Sequence, residues 1–307
     1  MRIVFMGTPQ FAVSSLNNLI ESDYDIAAVF TQPDRKSGRG HKLNPPPVKV
    51  VAQENDIPVL QFSKIKSPQG VAALKVLQPD IIVTAAFGQI LSKEILDIPK
   101  LGCINVHASL LPKYRGAAPI QWAIINGETQ TGVTIMYMDV GLDTGDIISA
   151  ESIEITDNMT GGDLYDKLAV LGADLLIETL RNVENGSASR TKQIEEQSSY
   201  YPMLNKKLGR IDWTKSAEEI RNLVRGLFPI MSAYTYIGDD MYKIREASVE
   251  QGTALPGQIV CADAKQGLLV GTGKDLLRVD LLQAPGSKSM DAIGYLCGKS
   301  ITAERFE

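Results

Sequence analysis

Asp80-Ile81-Ile82-Val83-Thr84-Ala85-Ala86 is apolar for long enough to form a strand covered on both faces. Gly102-Cys103-Ile104-Asn105-Val106-His107 follows it as another. Upstream, residues 3–7 read as a strand, 11–21 as a helix, 25–31 as a strand and 48–55 as a helix that Pro58 closes. Strand alternating with helix in this way predicts an α/β fold, a mostly parallel, Rossmann-like sheet wrapped by helices. In such sheets the ligand crevice lies outside the carboxyl ends of the strands, where His107 is expected to stand.

Gly7-Thr8-Pro9-Gln10-Phe11 follows the first strand where a dinucleotide-binding protein carries its glycine fingerprint. The G-x-G-x-x-G spacing is missing and Pro9 suits the first turn of a helix, so no nicotinamide or flavin cofactor is expected. Downstream, 116–126 reads as a helix, 131–139 and 145–155 as strands, and 160–185 as a long amphipathic helix with Leu164, Leu168, Leu171, Leu175 and Leu180 recurring along it. Residues 187–207 are polar, mixed in charge and without a period, which places a linker at 190–206 between a first domain over 1–189 and a second over 207–307. In the second domain Ser216-Ala217-Glu218-Glu219 is a capping box opening a helix to about residue 227. Short strands separated by turns at 238–240, 256–257, 265–267 and 273–275 then suggest a small barrel or sandwich.

The 307 residues, 44% of them hydrophobic, suffice for a sizeable core and favour two domains over one. No window is apolar for long enough to cross a bilayer, and the chain enters its first strand without a charged leader, so a cytoplasmic protein away from membranes is expected. Cys103, Cys261 and Cys297 are odd in number and widely spaced, which predicts reduced thiols and neither disulfides nor a metal site. A net charge of -5 argues against indiscriminate nucleic-acid binding. Positive charge is nonetheless concentrated at Arg35, Lys36, Arg39, Lys42 and Lys49, and again at Lys206, Lys207, Arg210, Lys215, Arg221 and Arg225. From charge alone, solvated basic loops are the commoner reading and contact with a polyanion the alternative.

Two histidines occur in the chain, and His107 ends an apolar run two residues after Asn105. Side chains two apart on a strand share a face. An amide donor beside a base that titrates near neutrality is the equipment for acyl transfer. Taken singly, each is more often structural: a buried histidine satisfied by backbone, an amide capping a turn. Asp143, in Gly141-Leu142-Asp143-Thr144-Gly145-Asp146, is the candidate third partner, with Asp139 and Asp146 competing and an Asx turn the bland alternative. His41 sits among glycines and basic residues and reads as a solvated loop residue.

The stretch Asn105-Val106-His107-Ala108-Ser109-Leu110-Leu111-Pro112, read with residues 113–121 and 131–146, resembles the 10-formyltetrahydrofolate-dependent formyltransferases. Asn-x-His-x-Ser-Leu-Leu-Pro combined with a downstream Leu-Asp-x-Gly is a highly specific pairing. The likeness continues through residues 31–35, 38–40, 46–49 and 210–213, and so covers nearly the whole chain. It implies transfer of a formyl group from 10-formyltetrahydrofolate to an amine without a metal, with Asn105, His107 and Asp143 matching the catalytic trio. Ser109, Leu110, Leu111 and Pro112 match the family's folate signature, and Phe87, Gly88 and Gln89 are expected to wall the slot for the pterin. The members that act on initiator methionyl-tRNA are nearest in pattern, and by that likeness a monomer is expected.

The same resemblance makes residues 34–49 a tRNA-contacting insertion with Arg39 as acceptor-stem reader, and gives Lys36, Lys42, Lys206 and Lys207 phosphate contacts that position the stem. It makes the second domain an oligonucleotide-binding (OB-like) barrel that grips the tRNA body. Two features depart from that pattern. Pro229-Ile230-Met231 stands where the family shows Pro-Trp-Pro, and residues 199–209 are reminiscent of sugar-nucleotide formyltransferases, so an amino sugar is the alternative acceptor.

Overall fold

The computed structural model describes residues 1–37 and 42–307; Arg39 and His41 lie outside the described residues, as do the side chains of Lys36 and Lys42. The chain begins with β1 (Arg2–Gly7), α1 (Gln10–Ile20) and β2 (Asp25–Thr31). A hairpin of β3 (Arg35–Ser37) and β4 (Lys42–Asn44) follows, then α2 (Pro47–Glu54), β5 (Val59–Gln61) and α3 (Pro68–Leu77). Next come β6 (Ile81–Ala85), α4 (Lys93–Leu96), β7 (Cys103–His107), β8 (Arg115–Gly116) and α5 (Pro119–Ile125). The first half closes with β9 (Gln130–Tyr137), β10 (Ile147–Glu154), the long α6 (Gly161–Glu184) and β11 (Tyr200–Tyr201). Proline opens α2, α3 and α5, where its fixed φ suits the first turn and its missing N–H leaves no bond unmade.

Seven strands form one sheet in the order β10-β9-β7-β6-β1-β2-β5. The five strands from β7 to β5 run parallel, and β9 joins β7 antiparallel. From β1 the chain goes outward to β2 and β5, then returns to β6 and β7 on the other side. The switch point therefore falls between β1 and β6, and the crevice opens at their carboxyl ends.

Both faces of the sheet are covered, which is why its central strands carry continuous apolar runs. Ile3, Val4, Phe5 and Met6 are completely buried, as are Ile81, Ile82 and Val83. Alternation divides them between the faces: Val4, Met6 and Ile82 pack with Phe30, Leu74 and Ile95, while Ile3 and Phe5 point the other way. Each such side chain stabilises the fold by about 1.5–3 kcal/mol relative to exposure. Helix α6 closes on the sheet at Gly172, where a Cβ would stand 2.8 Å from Val106 Cγ1. At the start of α1, which has no side-chain cap, the backbone N–H of Phe11 donates to the Tyr165 hydroxyl at 2.6 Å.

Two compact units result, and neither is continuous in sequence. Residues 1–116, 131–153 and 165–201 form the first; 117–130, 154–164 and 202–307 form the second. The stretch read as a linker over 190–206 is thus divided, and its first part is tied into the first unit at several points. Thr191 bridges Ile147, and β11 pairs in parallel with β8. Backbone pairing of this kind needs no side-chain period, so the sequence pattern carries no sign of it.

In the second unit α7 (Ala217–Leu227) is opened by the expected capping box: Glu219 N–H donates to Ser216 Oγ at 3.2 Å, and Ser216 N–H to Glu219 Oε2 at 2.9 Å. The strands β12 (Ala233–Ile237), β13 (Asp240–Glu250), β14 (Ile259–Asp263), β15 (Gly267–Gly271), β16 (Leu276–Gln283) and β17 (Met290–Asp291) precede α8 (Ala292–Gly298). They pair antiparallel in the order β12-β13-β16-β15-β14, with β17 added to β16. Among the described residues no ladder joins β12 to β14, so the barrel-like path is open there. Its core gathers Ile211, Trp213, Ile220, Val224, Ile244 and Phe306; Trp213 stacks on Phe306, and its indole N–H donates to Thr235 Oγ1 at 2.9 Å.

Candidate active site

His107 ends β7 and is buried, 6% exposed. Its Nε2 lies 3.0 Å from the backbone carbonyl oxygen of Tyr114. A carbonyl only accepts, so Nε2 carries the hydrogen and Nδ1 is the ring nitrogen left to gain or lose a proton. Nδ1 faces Asp143 Oδ1 at 3.7 Å, close enough for the carboxylate to stabilise charge developing on the ring. The other carboxylate oxygen of Asp143 accepts the backbone N–H of Gly116 at 2.9 Å. Gly116 has φ +106, and a Cβ there would run into the carbonyl oxygen of Tyr201. Glycine is therefore required for this N–H to reach Asp143.

The three acids weighed from sequence are separated by what they touch. Asp139 Oδ1 accepts from Gly141 N–H at 2.9 Å and from the Thr144 hydroxyl at 2.6 Å, an Asx arrangement within its own turn. Asp146 Oδ2 is 3.5 Å from Arg190 Nε. Among the described residues Asp143 alone lies within ion-pair distance of His107.

Asn105 is half-buried on β7, opposite Thr84 of β6 in the register. The Thr84 hydroxyl, itself buried, is 2.8 Å from Asn105 Oδ1. With its oxygen occupied in this way, the amide presents Nδ2 as a free donor among the described residues. Sequence reading passed over Thr84, since a threonine inside an apolar strand carries no signal until the register is known.

The two loops expected to receive the folate emerge from neighbouring strands, since Ala85 and Val106 are partners in the β6–β7 ladder. Phe87 turns its ring into the core, and its carbonyl oxygen accepts from Thr8 Oγ1 at 3.0 Å and Gln32 Nε2 at 3.2 Å. Gly88, at φ +80, is exposed. Gln89 is spent on its neighbours: Oε1 accepts from Ile65 N–H at 2.6 Å, and Nε2 donates to the Phe62 carbonyl at 2.8 Å. In the second loop Ser109 is completely buried and donates to the Lys113 carbonyl at 2.7 Å, so its hydroxyl shapes the loop from inside. Leu111 is held by its N–H to Thr134 Oγ1 at 3.1 Å, while Leu110 and Pro112 are half-buried.

Lys36 and Lys42 belong to the β3–β4 hairpin, whose last described pair is Ser37 with Lys42; Arg39 falls outside the described residues. At its base Lys49 Nζ pairs with Asp34 at 2.8 Å, and that contact, with a bond from Gln61, holds the Asp34 carboxyl below its usual range. Lys206 and Lys207 are exposed on a single 3-10 turn capped by Asn205, and form no ion pair among the described residues. Among the described residues no helix is long and apolar enough to cross a membrane.

Comparison with known proteins finds relatives over nearly the whole chain. Residues 1–180 match the formyl transferase family and 203–300 the formyl transferase C-terminal domain. The chain is 52% identical over 304 residues to the methionyl-tRNA formyltransferase of Clostridium perfringens (strain 13 / Type A), covering 98% of each. It is 49% identical over 298 residues to that of Geobacter metallireducens, covering 97% of this chain and 96% of the relative. Among solved structures, an N-formyltransferase from Helicobacter canadensis in complex with folinic acid and dTDP-3-aminofucose aligns with a TM-score of 0.66 at 22% identity, covering 90% of this chain and 98% of that one. HypX from Aquifex aeolicus in complex with tetrahydrofolic acid aligns at 0.61 and 17% identity, over 96% of this chain and 47% of that one. At such identities the structures speak for the fold alone. With both domains matched in order and relatives at half identity from end to end, the chain belongs to the formyl transferase family.

Proposed function

We propose that this protein transfers the formyl group of 10-formyltetrahydrofolate to the free amino group of methionine on initiator tRNA, giving N-formylmethionyl-tRNA for translation initiation. The acceptor follows from relatives of about half identity over nearly the full length that are methionyl-tRNA formyltransferases. The chemistry rests on one observation: His107 has Nε2 committed to the Tyr114 carbonyl and Nδ1 turned to Asp143, on the same strand face as the free amide donor of Asn105.

In this reading the methionyl amine attacks the formyl carbon and a tetrahedral intermediate forms. Asn105 Nδ2–H donates to the oxygen as its negative charge develops. His107 Nδ1 takes the proton released by the attacking nitrogen and returns it to N10 of the folate as the carbon–N10 bond breaks, so formyl-amine and tetrahydrofolate leave and the ring ends as it began. Asp143 stabilises the transient positive charge on the ring. Leu110, Leu111 and the backbone at Phe87–Gly88–Gln89 wall the pterin slot, a mostly apolar site with few polar groups. Arg39 reads the acceptor stem, and Lys36, Lys42, Lys206 and Lys207 supply sequence-independent phosphate contacts that position it.

A single assay separates this reading from its alternative. With the same formyl donor, initiator methionyl-tRNA is offered beside elongator methionyl-tRNA and a nucleotide-linked amino sugar. Initiator tRNA should be the fastest acceptor by far; equal rates on the two tRNAs, or a faster amino sugar, would refute the assignment. His107→Ala should lose about a hundredfold or more in turnover while tRNA affinity is retained.

A further inference from the structure

Asp143 lies at φ +56, a left-handed conformation that an aspartate adopts only where its surroundings hold it. Gly116 N–H holds its carboxylate, and the backbone of its turn is held by the stretch read from sequence as a linker. Gln193 donates both protons of its side-chain amide: Nε2 is 2.8 Å from the carbonyl oxygen of Asp143 and 2.8 Å from that of Gly145. Its Oε1 accepts from Arg115 Nε at 3.1 Å, which fixes the end of the amide that faces the turn. Arg115 is buried, its guanidinium pairs with Glu195 at 2.9 Å, and its backbone N–H donates to the Ser199 carbonyl at 2.8 Å. Arg115 also immediately precedes Gly116, so one short stretch anchors both the carboxylate and the backbone of Asp143.

We propose that Gln193 is a positioning residue for formyl transfer: by tying the carbonyls of Asp143 and Gly145 to Arg115, it keeps the Asp143 carboxylate facing His107 Nδ1. The proposal deepens the function given above and rests on it, since it takes Asp143 and His107 to carry the proton step. The chemistry suits an amide alone. Two carbonyls require two donors and the guanidinium requires an acceptor; glutamate lacks the donors and lysine lacks the acceptor.

The test compares wild type, Gln193→Ala, Gln193→Glu, Asp143→Asn and the double variant Gln193→Ala/Asp143→Asn for kcat, for KM toward each substrate and for melting temperature. Gln193→Ala should lower kcat by about tenfold to a hundredfold, the scale that a displacement of about 1 Å produces, with KM for the formyl donor within about twofold. In the Asp143→Asn background the same change should cost less than about threefold, because a residue acting through Asp143 has nothing left to position. Gln193→Glu keeps the Arg115 contact and sets acceptors against the two carbonyls. Its kcat should fall at least as far as that of Gln193→Ala, because carboxylate oxygens then face both carbonyls while the Arg115 contact is kept. Wild-type kcat in Gln193→Ala, an equal loss in both backgrounds, or wild-type kcat in Gln193→Glu would overturn the proposal. Full activity in Asp143→Asn and His107→Ala would overturn the parent reading with it, an outcome recognisable because it does not involve residue 193 at all.

Discussion

Thr84→Val tests how the oxyanion donor is aimed. Valine matches threonine in shape and strand preference, so β6 should keep its register while Asn105 Oδ1 loses the hydroxyl 2.8 Å away. That hydroxyl has one proton, and its other oxygen contact, the Ile104 carbonyl at 3.1 Å, is the longer. A net hydrogen bond of this kind is worth about 0.5–1.5 kcal/mol. If that energy holds Nδ2 toward the reacting oxygen, its loss appears in the barrier, where about 1.4 kcal/mol is tenfold, and kcat should fall by about 2- to 13-fold. Thr84→Ser, which retains the hydroxyl, should stay within about twofold of wild type on the same reasoning. The assay is formylation of charged initiator tRNA at saturating donor, with near-ultraviolet circular dichroism to establish folding. A folded Thr84→Val enzyme with wild-type kcat would refute the argument, because Asn105 would then be oriented without the contact.

Removing the α7 cap by Ser216→Ala should cost about 1 kcal/mol, read as a lower urea midpoint with unchanged slope; an unchanged midpoint would mean that packing of the first turn, not the cap, holds the helix start. Burial pushes the Cys103 thiol up to about 12, whereas Cys297 is exposed, so iodoacetamide on native protein should mark Cys297 and leave Cys103 unmodified until denaturant is added. Early modification of Cys103, seen by peptide mass spectrometry, would show that β7 opens in the native state. The Asp280 carboxyl is raised above its ordinary value of 3.8, chiefly by burial, so its ionisation works against folding. Asp280→Asn should therefore be more stable than wild type at neutral pH. The gain should shrink as pH falls through the raised value and vanish below about 3.8, where both states of the wild-type chain are protonated; a gain independent of pH would contradict the cause.

The parallel sheet was legible because its central strands are buried on both faces, and Ile81–Ile82–Val83 or Ile3–Val4–Phe5–Met6 can be little else. The shared face of Asn105 and His107 was legible for a similar reason, the period of two along a strand. The choice among Asp139, Asp143 and Asp146 was not, since it turns on a left-handed φ at 143 and on a backbone N–H delivered by Gly116 from 27 residues away. Thr84 and Gln193 were invisible for a related reason: each acts through a partner that only the register or the return of the chain brings close. The stretch 190–201 shows the same limit most plainly, for a two-residue strand such as β11 has no period to detect.

The division of each unit into separate stretches also orders events during synthesis. The first unit has all of its residues once 201 has left the ribosome, but 117–130 and 154–164 belong with partners that are made afterwards. Until α7 emerges, Ile120, Ala123 and Ile124 of α5, all buried in the finished protein, have no finished partner surface. The nascent chain therefore carries this apolar helix through the making of about ninety residues, those between Ile125 and Ala217. During that interval the exposed apolar face is open to chaperone capture or aggregation.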